Sequence, residues 1–381
     1  MITIEPVRTR RDIHLFHTFP LELYRGNPYF VPSLIFDEKQ NFNPKKNPAY
    51  DHVETVCFLA YRDGEVVGRI SGLINHRLNE QKDELVVRFH RFDVVDDIEV
   101  TRALMASVEQ WGASRGMDRI IGPIGFSDVD REGMLVEGFD QPGMFITIYN
   151  YPYYPQHMEK LGFQKDADWV EYLITVPKQQ NERIQRICDL AVKRYGYRLL
   201  TFTKKKRAFP YIRRAFVMYN DAFAHLYGFY PLSEAQVELV IRQFVNLVNL
   251  EYVFIVENKE GEVIGLGIMV PSLSDALRKS QGRLLPAGWL RILKALKQHT
   301  VLDLYLIAVK PEYQGRGVNA VILNEGIKRA VANGVLYAET GPELEDNQNV
   351  QSQWKNFEHR QHKRRRCYSK RIAPNTRSEG Q

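Results

Sequence analysis

Leu302 to Val331, LDLYLIAVKPEYQGRGVNAVILNEGIKRAV, reads as a buried strand, a tight glycine turn and an amphipathic helix, in that order. Leu302, Leu304, Leu306 and Ala308 alternate with Asp303, Tyr305, Ile307 and Val309, the two-residue period of a strand, and Pro311 ends it. Ala320, Leu323, Ile327, Ala330 and Val331 recur at three- and four-residue spacing, so one stripe of the following helix faces a core. Between the two lies Gln314-Gly315-Arg316-Gly317-Val318-Asn319. Glycines let a backbone approach a ligand closely, and the first amides of a helix have no partner within it, so such a turn accommodates phosphate. Arg316 adds a cation where a diphosphate would lie. A P-loop is excluded because no G-K-[ST] follows, and a dinucleotide fingerprint lacks its third glycine.

A strand ending V-x-P followed by R/Q-x-x-G-x-G/A is the acetyl-CoA-binding signature of the GNAT acyltransferases, and this stretch resembles it. Val309 and Pro311 match the lead-in, and Gln314 and Gly317 match the first two fixed places. Asn319 stands where the last Gly or Ala is usual, keeping the amide but adding a side chain near the diphosphate. The resemblance implies an α/β (α+β) fold with a twisted mixed sheet flanked by helices, and acetyl-CoA or another acyl-CoA as co-substrate, with no metal. It implies further that Gln314, Gly315, Arg316, Gly317, Val318 and Asn319 take the diphosphate. Ile307 and Val309 would lend backbone groups to the pantetheine and thioester, and the strand Tyr337 to Thr340 would splay away to admit that arm.

The chain of 381 residues is long enough for two domains. Its N-terminus, MITIEPVRTRRD, has no apolar signal segment and no run approaches the ~20 residues that span a bilayer, so a cytoplasmic protein without stable membrane insertion is expected. Cys57, Cys188 and Cys367 are widely separated, without metal-ligand or C-x-x-C spacing. The net charge of +6 is modest, and the basic runs Lys204 to Arg207 and Lys363 to Arg366 lie in no nucleic-acid motif, so no nucleic-acid partner is expected. Oligomeric state is left open.

The plan of the second half is repeated in the first. Gly64-Glu65-Val66-Val67-Gly68 is echoed by Gly261-Glu262-Val263-Ile264-Gly265 in the same hairpin, and Ser272 to His299 is an insertion before the fourth strand of the second copy. Where the second copy has its glycine turn, the first has Val95-Asp96-Asp97-Ile98, whose carboxylates would repel a diphosphate. His157 to Phe163, closing at L-G-F before the last two strands over Gln164 to Val176, also resembles a GNAT ending. With Asn47-Pro48, Gly122-Pro123 and Gly138-Phe139-Asp140, these segments resemble an uncharacterised bacterial family of two-domain GNAT proteins. The expected division is a degenerate GNAT-like domain over 1–177, a connecting segment over 178–206, a CoA-binding GNAT-like domain over 207–372 and a flexible tail over 373–381. Within the insertion, Leu284 to Gln298 is amphipathic and basic, which suits a helix packed on the sheet, or a lid or membrane-surface helix.

The GNAT resemblance implies direct transfer of an acyl group, acetyl in the simplest case, from CoA to a small-molecule amine, with the first copy forming one wall of the acceptor site. Glu339 is the first candidate base and Asp303 the second, while Glu343, Glu345 and Asp346 read as a solvated acidic loop attracting the amine. Where relatives carry a thiolate-protonating tyrosine this chain has Phe357, leaving Tyr368 or Tyr337 as donors. Aromatic loops at Tyr149 to Tyr154 and Phe229-Tyr230 leave room for a longer acyl chain. Asn319 and Phe357 motivate the alternative of a non-catalytic acyl-CoA-binding or scaffold protein.

Overall fold

The computed structural model describes residues 1–127, 129–244, 248–298 and 300–372. The expected tail, the end of the helix around Leu247 and the last residue of the insertion lie outside them. The chain divides into two units, neither contiguous in sequence: Met1–Val170 with Gln281–Leu284 and Lys363–Gln381, and Glu171–Ser280 with Leu285–His362.

In chain order the first half carries β1 (Ile2–Pro6), α1 (Arg10–Leu23), α2 (Ile35–Asn41), β2 (Val53–Arg62), β3 (Glu65–Asn75), α3 (His76–Lys82), β4 (Val86–Val94), α4 (Ile98–Ala113), β5 (Arg119–Gly122), β6 (Met134–Glu137), α5 (Tyr153–Lys160) and β7 (Gln164–Thr175). The second carries α6 (Glu182–Tyr195), β8 (Arg198–Leu200), α7 (Lys205–Phe223), α8 (Glu234–Phe244), β9 (Val253–Glu257), β10 (Val263–Pro271), α9 (Ser274–Ser280), α10 (Gly288–Ala295), β11 (Val301–Val309), α11 (Val318–Ala332), β12 (Tyr337–Thr340), β13 (Glu343–Leu344), α12 (Gln348–Gln351) and β14 (His359–Arg371).

In the first unit the sheet order is β1-β2-β3-β4-β5-β14, antiparallel except for the parallel pair β4–β5. The β2–β3 hairpin turns at Asp63 and Gly64, both at positive φ (51° and 84°), the geometry its Asp-Gly pair predicts. Thr9 and Asp12 form a reciprocal capping box that starts α1. The proline-rich stretch 26–50 is partly folded, with α2 inside it. Val87, Phe89, Val100, Leu104 and Met158 fill the core, joined by Tyr368 and Ile372 from the end of the chain. Two strands were expected over 164–176, but this is the single twelve-residue β7. The place beside β5 is taken by β14, whose Arg364 and Arg366 grip the fully buried Asp168 of β7 at 2.8–3.0 Å.

In the second unit β8-β9-β10-β11-β12 repeat the order of β1 to β5, again with only the last pair parallel, and residues 173–175 of β7 complete the far side of β12. The segment expected to connect two domains is therefore structural: α6 packs on α11 and β8 pairs with β9. α9 and α10 occupy the expected insertion between β10 and β11. The five-residue echo has a packing cause. A methyl at Gly265 would stand 2.6 Å from Val318 Cγ1 and one at Gly68 2.8 Å from Leu104 Cδ1, so in each copy a glycine lets the main helix lie against the third strand of the repeat.

Candidate active site

β11 is not a uniform alternation. Its register against β10 shifts at Tyr305, which is bulged out: Ile268 opposes Leu306 and Met269 opposes Leu304. The extra residue exchanges the faces, so Leu302, Leu304, Ile307 and Val309 all lie in the core beneath α11, whereas Leu306 and Ala308 do not share the face of Leu302 as the period-2 reading expected. β12 pairs with β11 only over Val301–Leu304, after which Gly341 N–H donates to Leu304 O at 3.2 Å and the chain departs. From Tyr305 to Val309 that edge of β11 has no β12 partner, which is the splay expected at Ile307 and Val309.

The turn after β11 runs through a 3₁₀ segment (Pro311–Tyr313) into Gly315 (φ 72°) and Gly317 (φ 86°), both left-handed. Gly317 is the N-cap of α11 and supplies no side-chain acceptor, so the first amides of this helix stay uncapped. Gln314 and Arg316 are exposed; Gln314 Nε2 donates to Val309 O at 3.3 Å, and the Arg316 guanidinium lies over the Tyr313 ring. Val318 is buried in the core, and the buried Oδ1 of Asn319 has no hydrogen-bond partner. The two glycines are not equivalent. Space beside Gly315 is open, whereas a methyl at Gly317 would stand 2.6 Å from Ala191 Cβ on α6.

The corresponding turn of the first unit is closed by its own side chain. Asp97 caps α4, accepting from the amides of Glu99 and Val100 at 2.8 and 3.4 Å, and is paired with Arg62. A carboxylate thus occupies the position a phosphate would need, as the Asp-Asp sequence implied.

On the sheet face opposite α11, Asp303 and Glu339 are register partners on the parallel strands β11 and β12; Asp303 is fully buried and the Glu339 side chain nearly so. Two residues that the sequence reading missed join Glu339. One ligand atom from each of Glu171, Glu339 and His362 lies within 4.8 Å of the other two, and His362 Nε2 is 3.4 Å from Glu339 Oε1. Such a set can share a proton or hold a divalent cation. No local motif announces it, because its members come from β7, β12 and β14. The other expectations fare differently. Tyr368 is 1% exposed in the core of the first unit, paired with Gly122, and burial pushes its hydroxyl up to about 12. Tyr337 is exposed and Phe357 packs with Trp354 and Ile174. Glu343 is not a solvated charge: burial pushes it up to about 8, although Trp354 Nε1 donates to both its oxygens at 2.9 and 3.1 Å.

The first unit has a cavity of its own, partly open to solvent and walled by Leu21, Phe30, Val31 and Phe92. Its floor is a buried polar network: Arg69 to Asp93 at 2.7 Å, Tyr24 to Asp93 at 3.0 Å and to Tyr154 at 2.9 Å. Burial pushes His17, on its wall, down to about 4, so that imidazole is neutral at physiological pH.

Residues 217–351 match the model of the acetyltransferase (GNAT) family. A tandem GNAT protein from the clavulanic acid biosynthesis pathway superposes over 98% of this chain and 99% of its own, with a TM-score of 0.54 at 12% identity. The chain thus shares the fold of a tandem GNAT protein, and its second half resembles the GNAT family model. Its two units repeat one strand order, and only the second carries the uncapped glycine turn. The chain is 27% identical over 373 residues to protein YghO of Escherichia coli (strain K12), covering 95% of this chain and 94% of that one. It is 28% identical over 328 residues to a bacterial ceramide synthase of Caulobacter vibrioides (strain NA1000 / CB15N), covering 82% of each.

Proposed function

We propose that this protein transfers an acyl group from acyl-CoA to an amine, with the turn Gln314 to Asn319 binding the CoA diphosphate. One contrast carries the reading: α11 opens on uncapped amides behind two left-handed glycines, while Asp97 fills the same place on α4. The amides and Arg316 bind the diphosphate, and the unpaired edge at Ile307 and Val309 holds the pantetheine. The amine nitrogen attacks the thioester carbonyl carbon, the C–S bond breaks, and the departing sulfur takes a proton. Glu339, backed by His362, accepts the proton released by the amine; Asp303 on the neighbouring strand is the second candidate.

The name of the Caulobacter relative denotes formation of a lipid amide, and this favours a long acyl chain over acetyl as the transferred group. Calorimetry with coenzyme A, followed by thiol release from a series of acyl-CoA chain lengths with a panel of amines, tests both steps. Heat with CoA and amine-dependent thiol release support the transferase. Heat without thiol release for any pair indicates the non-catalytic binder, and no heat refutes both.

A further inference from the structure

From residue 276 to residue 302 the chain has no Asp or Glu but six cations: Arg278, Lys279, Arg283, Arg291, Lys294 and Lys297. This one stretch carries as much net charge as the whole protein, +6. Within it α10 has two apolar faces. Gly288, Ile292 and Ala295 are buried, at the spacing of one helical stripe. Trp289, Leu290 and Leu293 form a second stripe that is 46%, 52% and 47% exposed, and Leu285 just ahead of the helix is 76% exposed.

Arg278 is paired with Asp275 on α9, whereas the cations on and just after α10 form no ion pair among the described residues. Arg291 donates to a backbone carbonyl, Lys279 O, and Lys294 and Lys297 have no acidic partner among the described residues. Exposed leucine and tryptophan cost free energy in water, and an uncompensated positive field repels a second copy of the same basic face. A surface that is apolar at its centre, with negative charge around it, satisfies both. An indole at the edge of such a patch suits the headgroup boundary of a bilayer. Among the described residues no helix is long and apolar enough to cross a membrane, so the contact is peripheral.

We infer that residues 283–297 dock the protein on an anionic lipid surface, with Leu285, Trp289, Leu290 and Leu293 entering the headgroup boundary and the flanking cations facing lipid phosphates. The inference stands apart from acyl transfer, because it uses no residue of the glycine turn or the acid cluster. The full chain is sedimented with phosphatidylglycerol-containing vesicles and with pure phosphatidylcholine vesicles, at low and high salt. Binding to the anionic vesicles alone, weakened by salt, is expected, with roughly five-fold loss for each cation neutralised in Lys294→Gln and Lys297→Gln. The combined Trp289→Ser, Leu290→Ser and Leu293→Ser variant should lose at least about tenfold. These side chains are solvent-exposed, so an unchanged thermal unfolding midpoint serves as the folding control. Absence of binding to anionic vesicles, or variants that bind like the parent, would overturn the proposal. So would a parent dimer that the serine variant converts to monomer without any vesicle binding, since a second copy would then cover the patch.

Discussion

Gly315 and Gly317 share a left-handed backbone, yet their surroundings give them different tasks. Beside Gly315 there is open space, which in the proposed site would admit an incoming group; beside Gly317 stands Ala191, so its lack of a side chain serves helix packing. Aspartate at Gly317 would combine repulsion of a diphosphate with a clash against α6, whereas Gly315 separates charge from sterics. Asp and Asn tolerate the left-handed region better than other side chains. Gly315→Asn should retain most of the affinity for CoA, and Gly315→Asp should lose it by more than about tenfold, as like-charge repulsion in a partly desolvated site costs more than ~1.4 kcal/mol. Calorimetry on the pair decides it, and equal loss in both would remove the electrostatic account. At Glu343 the folded carboxyl is raised from 4.5 to about 8, so the folded chain holds a proton that the unfolded chain has released. Stability from this group is complete below pH 4.5 and declines as pH rises to about 8. Glu343→Gln should therefore leave thermal stability unchanged in acid and raise it relative to the parent in mild alkali, read from unfolding midpoints across pH.

At the scale of elements, the position of the proposed diphosphate turn depends on what lies beneath and beside α11. Gly265 seats Val318 below, and Ala191 of α6 seats Gly317 alongside. Ala191→Leu should push α6 off the start of α11 and destabilise the protein by about 1–3 kcal/mol, the usual cost of overpacking. Gly265→Val should do the same from the sheet side, by displacing Val318 at the start of α11. Denaturant midpoints measure both effects, and CoA affinity reports how far the helix N-terminus has moved. In the first unit the equivalent helix relies on its cap. Asp97→Ala leaves two α4 amides unfilled and should cost about 1 kcal/mol. It should confer no CoA binding, since the turn lacks glycine.

At the scale of the molecule, the last strand of the chain belongs to the sheet that the first strands began. Deleting residues from 363 onward removes the partner of β5, the two arginines on Asp168, and Tyr368 and Ile372 from the core of the first unit. Loss of amide-exchange protection in β4 and β5, with protection retained in β9 to β11, is the expected result. Uniform protection after truncation would contradict it.

Much of this was legible in the residues themselves. The Asp-Gly hairpin, the repeat, the insertion and the left-handed glycine turn each depend on groups a few positions apart, which any window of sequence contains. Tertiary structure decided the rest. A one-residue bulge at Tyr305 reversed half of a strand that local alternation had assigned to the other face. Which strand pairs with β5 or β12 could not be read either, because the backbone groups along every strand edge are chemically alike and only packing selects among them. His362 and Glu171 join Glu339 for the same reason: separated by long stretches of chain, they are brought within 4.8 Å of one another only by the order in which the strands assemble.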